Sequence, residues 1–235
     1  EAAGKPGKTL RNVITVTGGA RAIQRVRLKV GDWMLTNEGT PVFAGAGSMP
    51  HSAASWIRFR PREFDVYPRQ KKLVRVSIKI PEGTPPGTYL AALFFEPPAT
   101  TEGAKPGAAN IFIRGRIAFL IYVTVGNARP DGKILDVAWR EMTKGKEPVI
   151  ALKIRNDGDA HLRTNGTFSA RSPSGKRYEG VLPALPILPG QTRWIPLEFA
   201  GEAPPAGSNI DITVHTDLGR GELKMELKLH GNKEG

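Results

Sequence analysis

The sequence predicts an all-β protein built from two tandem β-sandwich domains. Short stretches in which apolar and polar residues alternate recur along the 235 residues, and this period of two is the pattern of strands that bury one face. Glycine and proline, present 27 and 20 times, separate these stretches as turns. The helical spacing of about 3.6 residues between apolar positions is scarce. Short, regularly spaced strands with turn residues between them are typical of immunoglobulin-like sandwiches.

The first half of the chain contains six predicted strands. One of them, residues 56–66, includes Pro61, which has no backbone N–H and therefore favours an edge strand or a switch between sheets at this point. Residues 1–8 are rich in glycine, lysine and alanine, and we expect a loop there. The predicted strands are residues 9–17, 22–30, 56–66, 73–80, 88–95 and 111–125.

The last of these strands, residues 111–125, has the strongest strand pattern in the chain. It reads IFIRGRIAFLIYVTV, and the face that begins with Ile111 and Ile113 is almost wholly apolar. Strands usually have about five or six residues, so a strand of 15 residues either bends between sheets or extends beyond its own domain. Two interpretations follow: the whole strand belongs to its own core, or its first half offers apolar residues to a partner.

A second domain is predicted after residues 126–132, GNARPDG, a short segment with a proline and two glycines. A weak internal repeat supports two related domains, because a Pro-x-Gln motif, a strand and a Pro-rich loop follow one another from Pro68 and again from Pro189. We therefore place the domains at residues 1–126 and 127–235. The strands predicted in the second domain are residues 134–139, 149–156, 166–172, 192–199, 210–216 and 222–229.

The chain is strongly basic, with a net charge of +12 and a pI of about 10.1, a balance that is common among nucleic-acid-binding proteins. The cations, however, alternate with other residues in strand-like segments, as in the groups that begin at Arg25 and Arg58. We interpret them as solvated strand faces and predict no nucleic-acid partner, while a polyanionic surface or an acidic partner stays open. No stretch approaches the roughly 18 apolar residues of a membrane span.

Residues that could carry catalysis or bind a metal are scattered along the sequence. The chain has no cysteine, and its four histidines show no ligand spacing. The adjacent His51 and Ser52 lack the glycine pattern of a nucleophile elbow. Asp32 and Glu38 are dispersed and fit turns or solvated faces. We therefore predict that the protein is not an enzyme and has neither a metal site nor a cofactor.

Three motifs of the first domain carry a family resemblance. Residues 56–70 read WIRFRPREFDVYPRQ, residues 73–76 read LVRV, and Glu96 begins an EPP motif. Together with the Arg116-Ile117 pair, they resemble the N-terminal domain of the PapD-like periplasmic pilus-assembly chaperones. The second domain looks like an immunoglobulin-type sandwich but has no motif that assigns it.

The resemblance implies that the protein binds a pilin-like subunit by donor-strand complementation. Alternate apolar residues of the long strand would fill a groove in the subunit, while main-chain hydrogen bonds join the two proteins. By position, Ile111 and Ile113 would be the donor residues and Ile117 would continue inward. The partner-binding residues implied in this way are Ile111, Ile113, Arg114, Arg116 and Ile117.

The resemblance is divergent at the anchor for the subunit's C-terminal carboxylate. Ala118 stands where the family has a lysine, and residues 1–8 show no first strand with the family's second cation. Arg114 or Arg116 could supply the missing charge.

The leading hypothesis is a secreted, non-enzymatic, chaperone-like protein of the periplasm or cell envelope that serves pilus assembly, or fimbrial biogenesis. It would bind a pilin-like or other β-rich subunit by strand addition along residues 111–125. The alternative is a structural or surface tandem immunoglobulin-like module without chaperone activity. A third hypothesis is a homodimer in which another copy supplies the missing first strand. Because the chain begins with Glu1 rather than Met, we expect that a signal segment has been removed.

Overall fold

A computed structural model describes residues 1–19, 23–97 and 115–231. The chain divides into two compact units, one formed by Glu1–Met34 and Pro41–Gly126 and the other by Leu35–Thr40 and Asn127–Gly235. The described residues form strands and one short 3-10 helix, so the all-β prediction is confirmed. They contain no helix that is both long and apolar enough to cross a membrane.

The first unit is a sandwich of two sheets. One sheet has the strand order β2-β7-β5, and the other has the order β1-β9-β8-β3-β4, with β6 also paired to β3. A 3-10 helix, Ala54–Trp56, precedes β5. The strands are β1 (Ala2–Gly4), β2 (Thr9–Thr17), β3 (Gln24–Leu35), β4 (Pro41–Ala44), β5 (Ile57–Arg60), β6 (Glu63–Val66), β7 (Lys71–Lys79), β8 (Gly87–Glu96) and β9 (Ile117–Val125).

The core of this unit lies between the two sheets because alternate residues of each strand point inward. One sheet contributes Val74, Val76 and Ile78 of β7 to the core, and the other contributes Ile121 and Val123 of β9. The residues between them on β7 are exposed or only partly buried, as a period of two requires. The sandwich predicted for the first half of the chain is therefore confirmed.

Pro61 marks the point at which the chain changes sheets. Before it, β5 pairs with β7 in one sheet, and after it β6 pairs with β3 in the other. The Arg60–Pro61 peptide bond is cis. Of the two alternatives left open at Pro61, an edge strand or a switch between sheets, the structure shows the switch. Its physical reason is that proline has no N–H to give to a continuous ladder.

The expectation of a loop over residues 1–8 is wrong for part of that segment. Ala2–Gly4 forms β1, which pairs in parallel with Val123–Val125 at the end of β9. A Cβ atom on Gly4 would come within 2.9 Å of Ile80 Cδ1 and 3.2 Å of Leu10 Cδ2, so glycine lets this strand lie close to the core. A long-range pairing of this kind leaves no alternation in three residues, and the sequence pattern does not reveal it.

The second unit is also a sandwich, with the strand orders β10-β11-β16 and β17-β14-β13-β18-β19 and a small pair β12-β15. Ile150, Ile154 and Ile195 of one sheet and Phe168 and Ile212 of the other share its core. The strands are β10 (Gly132–Arg140), β11 (Val149–Asn156), β12 (Leu162–Arg163), β13 (Gly166–Arg171), β14 (Arg177–Leu182), β15 (Pro186–Ile187), β16 (Thr192–Pro196), β17 (Glu198–Phe199), β18 (Ile210–Asp217) and β19 (Glu222–Leu229).

The second unit has more strands than the sequence analysis predicts, since the two-residue strands β12 and β15 were not expected. The single strand predicted over residues 192–199 is two strands, since β16 pairs with β11 and β17 pairs with β14 in the other sheet. The strand β14 was not predicted, because the polar and small residues of RYEGVL obscure its alternation.

Candidate functional site: the open edge of β9

Among the described strands, β9 has a paired neighbour on both sides at its C-terminal end and on one side elsewhere. Its whole length pairs with β8, from Ile117 opposite Phe95 to Val125 opposite Gly87. On its other side, β1 pairs only with the last three residues of β9. Within the described ranges, no strand pairs with this side of residues 117–122. An edge without a paired strand is a template for an added strand.

The face of β9 that points into the core becomes progressively exposed toward the start of the strand. Ile121 is 5% exposed and packs in the core, whereas Phe119 is 45% exposed and Ile117 is 73% exposed. All three belong to the same face because side chains alternate along a strand. The apolar row of β9 therefore continues out of the core into solvent.

Ile117 and Phe119 line a groove of about 1010 Å³ in the first unit. Across the groove lie Ile14 and Val16 of β2, which is the edge strand of the opposite sheet. Ile23, just before β3, adds a further apolar side chain that is largely exposed. The groove thus lies between β2, the edge strand of one sheet, and the ends of β3, β8 and β9 in the other sheet.

Charged residues at the rim of the groove are paired with one another. Arg25 Nε and Arg27 Nε donate to the two oxygens of Glu63 at 2.7 and 3.0 Å, and Lys29 forms an ion pair with Glu96. Hydrogen bonds from Arg27 and then Arg25 hold the pKa of Glu63 below its usual value. Because these charges neutralise each other locally, the apolar side chains are the distinctive feature of the groove.

Of the five predicted partner-binding residues, the structure describes two. Ile117 lies at the open edge, and Ile111, Ile113 and Arg114 lie outside the described residues. Arg116 lies over the rings of Phe94 and Phe43, at 4.5 and 5.5 Å from their centroids.

The stacking places Arg116 on the face of its sheet that points away from the core. The register sets Phe94 opposite Ala118, two residues along from Arg116 and therefore on the same face. Gly31 makes room for this cluster, since a Cβ atom there would lie 2.7 Å from Phe94 Cε2. The side chains of Arg116 and Ile117 thus lie on opposite faces of the sheet.

Asp32 departs from the sequence analysis, which assigned it to a turn or a solvated face. Its side chain is buried and accepts hydrogen bonds from the backbone N–H groups of Ser48 and Met49, at 2.7 and 2.9 Å, and from the Ser52 hydroxyl at 2.5 Å. It fixes the loop that follows β4. Its alternation within β3 gave no sign of this role, because the three donors come from a loop distant in sequence.

The adjacent His51 and Ser52 do not form a catalytic relay. The Ser52 hydroxyl donates to Asp32, whereas the His51 ring packs against Tyr89 with 5.5 Å between centroids. Among the described residues, no three acidic or histidine side chains lie together as a metal-binding group.

The chain is similar to several proteins of known structure. No protein-family model matches the chain, and no curated protein matches it. The chaperone CfaA of class 5 fimbriae is similar with a TM-score of 0.46 and 11% identity, over 98% of this chain and 95% of that chain. The CupB2 chaperone of Pseudomonas aeruginosa has a TM-score of 0.43 and 12% identity, over 93% and 92%. The E. coli chaperone DraB has a TM-score of 0.42 and 16% identity, over 96% and 94%. Fimbrial chaperones, the group that the first domain resembles in sequence, are thus among the structural neighbours.

Proposed function

We propose that this protein is a non-enzymatic, chaperone-like protein of the periplasm or cell envelope that binds a pilin-like or other β-rich subunit by strand addition at β9. The observation that carries the proposal is the half-paired strand itself. From Ile117 to Tyr122 its edge is free of any described strand, and its core-side residues Ile117 and Phe119 are exposed beside an apolar groove. A long apolar edge is an aggregation hazard that proteins normally cover, so an open one favours a partner.

The geometry defines what the partner strand must look like. Its backbone would pair with residues 117–122 of β9, each ladder hydrogen bond contributing about 0.5–1.5 kcal/mol net. Every second side chain would enter the groove, against Phe119 from one side and Val16 from the other. The partner strand should therefore alternate apolar and polar residues, because main-chain bonds supply affinity and alternate side chains set the register.

The residues before β9 extend this proposal. Ile111 and Ile113 have the same parity as Ile117, so in a continuous strand they would present their side chains to the subunit on the same face. Their role as donor residues, and that of Arg114 as a cation for the subunit's carboxylate, stay predictions.

One observation favours the second candidate, a structural module of the cell envelope without chaperone activity. From Ile121 to Val125, β9 is part of its own core and has paired neighbours at its end. A strand that served only its own fold would show the same burial over these residues. The two functions differ in the role of Ile117, which would contact a partner in the first and only its own fold in the second.

The test is suppression of aggregation when a denatured pilin-like subunit is diluted into buffer containing the protein, followed by light scattering. We expect wild type to suppress scattering at equimolar ratio and Ile117→Asp to lose this effect while remaining folded by circular dichroism. Val181→Asp is the matched control, since Val181 is an exposed aliphatic residue of a strand in the second unit. Equal suppression by wild type and Ile117→Asp would contradict the proposal, and light scattering of the protein alone would reveal self-association through the same edge.

A further inference from the structure

The outer face of the three-stranded sheet β2-β7-β5 carries a concentration of positive charge. The register places Arg11 opposite Ser77, which is itself opposite Arg58. In the next row, Arg75 stands between Val13 and Arg60. Directly paired residues point to the same face of a sheet, and the intervening residues of β7 are buried in the core, so this set faces outward.

No ion pair among the described residues neutralises these cations. The three strands contain seven lysines and arginines and neither aspartate nor glutamate. Arg58 donates to the backbone carbonyls of Ser55 and Ile57, at 3.0 and 3.1 Å. No ion pair in the described part of the chain involves Arg11, Arg60 or Arg75.

The structure therefore separates two groups of cations that look alike in the sequence. The group that begins at Arg25 is paired with Glu63 and Glu96. The group on the β2-β7-β5 face is unpaired and holds much of the net charge of +12. An unpaired, single-sign surface of this kind attracts an anionic partner.

Large aliphatic side chains lie among these arginines. Val13 is 58% exposed and Leu73 is 52% exposed, and both point outward, since Val13 is opposite Arg75 and Leu73 is opposite Thr15. Val13 lines a shallow depression of about 1090 Å³ together with Arg11, Arg60 and Arg75. The face thus combines guanidinium groups with apolar side chains.

We propose that this face docks on an anionic phospholipid surface. Guanidinium groups form paired hydrogen bonds with phosphate oxygens, and aliphatic side chains beside them would enter the boundary between headgroups and acyl chains. A purely polar polyanion would engage the cations but would leave Val13 and Leu73 without an apolar contact. Aromatic side chains that stack on bases are absent from the outward rows of these three strands.

The test is co-sedimentation with vesicles of phosphatidylglycerol and phosphatidylcholine, compared with vesicles of phosphatidylcholine alone. We expect binding only to the anionic vesicles, weakened by salt. The variant Arg60→Gln/Arg75→Gln should bind about 30-fold more weakly, at roughly a fivefold loss for each cation. The matched control is Arg171→Gln/Arg177→Gln, another directly opposed, exposed pair that removes the same charge from the second unit; it should bind like wild type.

A further pair of variants distinguishes a lipid surface from any polyanion. Val13→Ser and Leu73→Ser keep all charges, and we expect each to weaken vesicle binding while leaving binding to inorganic polyphosphate unchanged. Three results would overturn the proposal: no binding to anionic vesicles, equal losses for the two arginine pairs, or serine variants that bind vesicles as wild type does. All variants should first be shown to be folded by circular dichroism. The arginines of this face and Val13 do not line the groove at β9, so either proposal can fail alone.

Discussion

An alanine series along the inward face of β9 tests whether its edge is open. Ile117, Phe119 and Ile121 share one face of one strand but differ in burial, at 73%, 45% and 5% exposed. Each buried methylene contributes about 0.8 kcal/mol, and an isoleucine loses about three of them on truncation. Ile121→Ala should therefore cost about 3 kcal/mol once the cavity is included. For Ile117→Ala, only about a quarter of the side chain is buried, and the cost should be about 0.6 kcal/mol.

Phe119→Ala should fall between these values, at about 2 kcal/mol, because a fully buried phenylalanine costs about 3–5 kcal/mol and this one is roughly half buried. The free energy of unfolding is measured by urea denaturation, followed by circular dichroism and by tryptophan fluorescence, since the two units can unfold separately. Val181→Ala, which truncates an exposed valine of the second unit, is the control and should leave the unfolding transition of the first unit unchanged. If Ile117→Ala were as costly as Ile121→Ala, the start of β9 would be covered and the open-edge argument would be refuted.

Two further predictions concern polar groups of the first unit. Asp32→Asn should lower the free energy of unfolding by about 3 kcal/mol, because the amide loses the charge that strengthens three hydrogen bonds and replaces one of the two accepting oxygens by an NH2 group. The exposed Asp65→Asn should change it by less than about 0.5 kcal/mol, and equal effects in urea denaturation would contradict this role. Glu63, whose folded pKa lies below its usual value chiefly through the Arg27 hydrogen bond, should stabilise the protein above its unfolded pKa and lose that contribution as the pH falls through its folded pKa. Carbon-detected NMR titration should show the Glu63 pKa rising toward its usual value in Arg27→Gln, and an unchanged pKa would exclude the arginine as the cause.

The sequence alone determined the features that depend on neighbouring residues. Strand positions follow from the period of two and from glycine and proline in the turns, and these are properties of the chain over a few residues. At Pro61, the missing N–H predicted an edge strand or a switch between sheets, and the pairing of β5 and β6 shows the switch. The apolar row that includes Ile117 and Ile121 was visible as well.

Only the tertiary structure decided how much of that row is covered. Ile117 and Ile121 are the same type of residue in the same pattern. Their burial differs because Ile121 packs in the core between the two sheets, whereas Ile117, at the start of β9, lines the groove. Arg25 and Arg58 also look alike in sequence, and whether such a cation is neutralised depends on which strand pairing brings a carboxylate beside it. Alternation fixes which face a side chain joins, whereas its solvent exposure and its charge partners are set by distant strands.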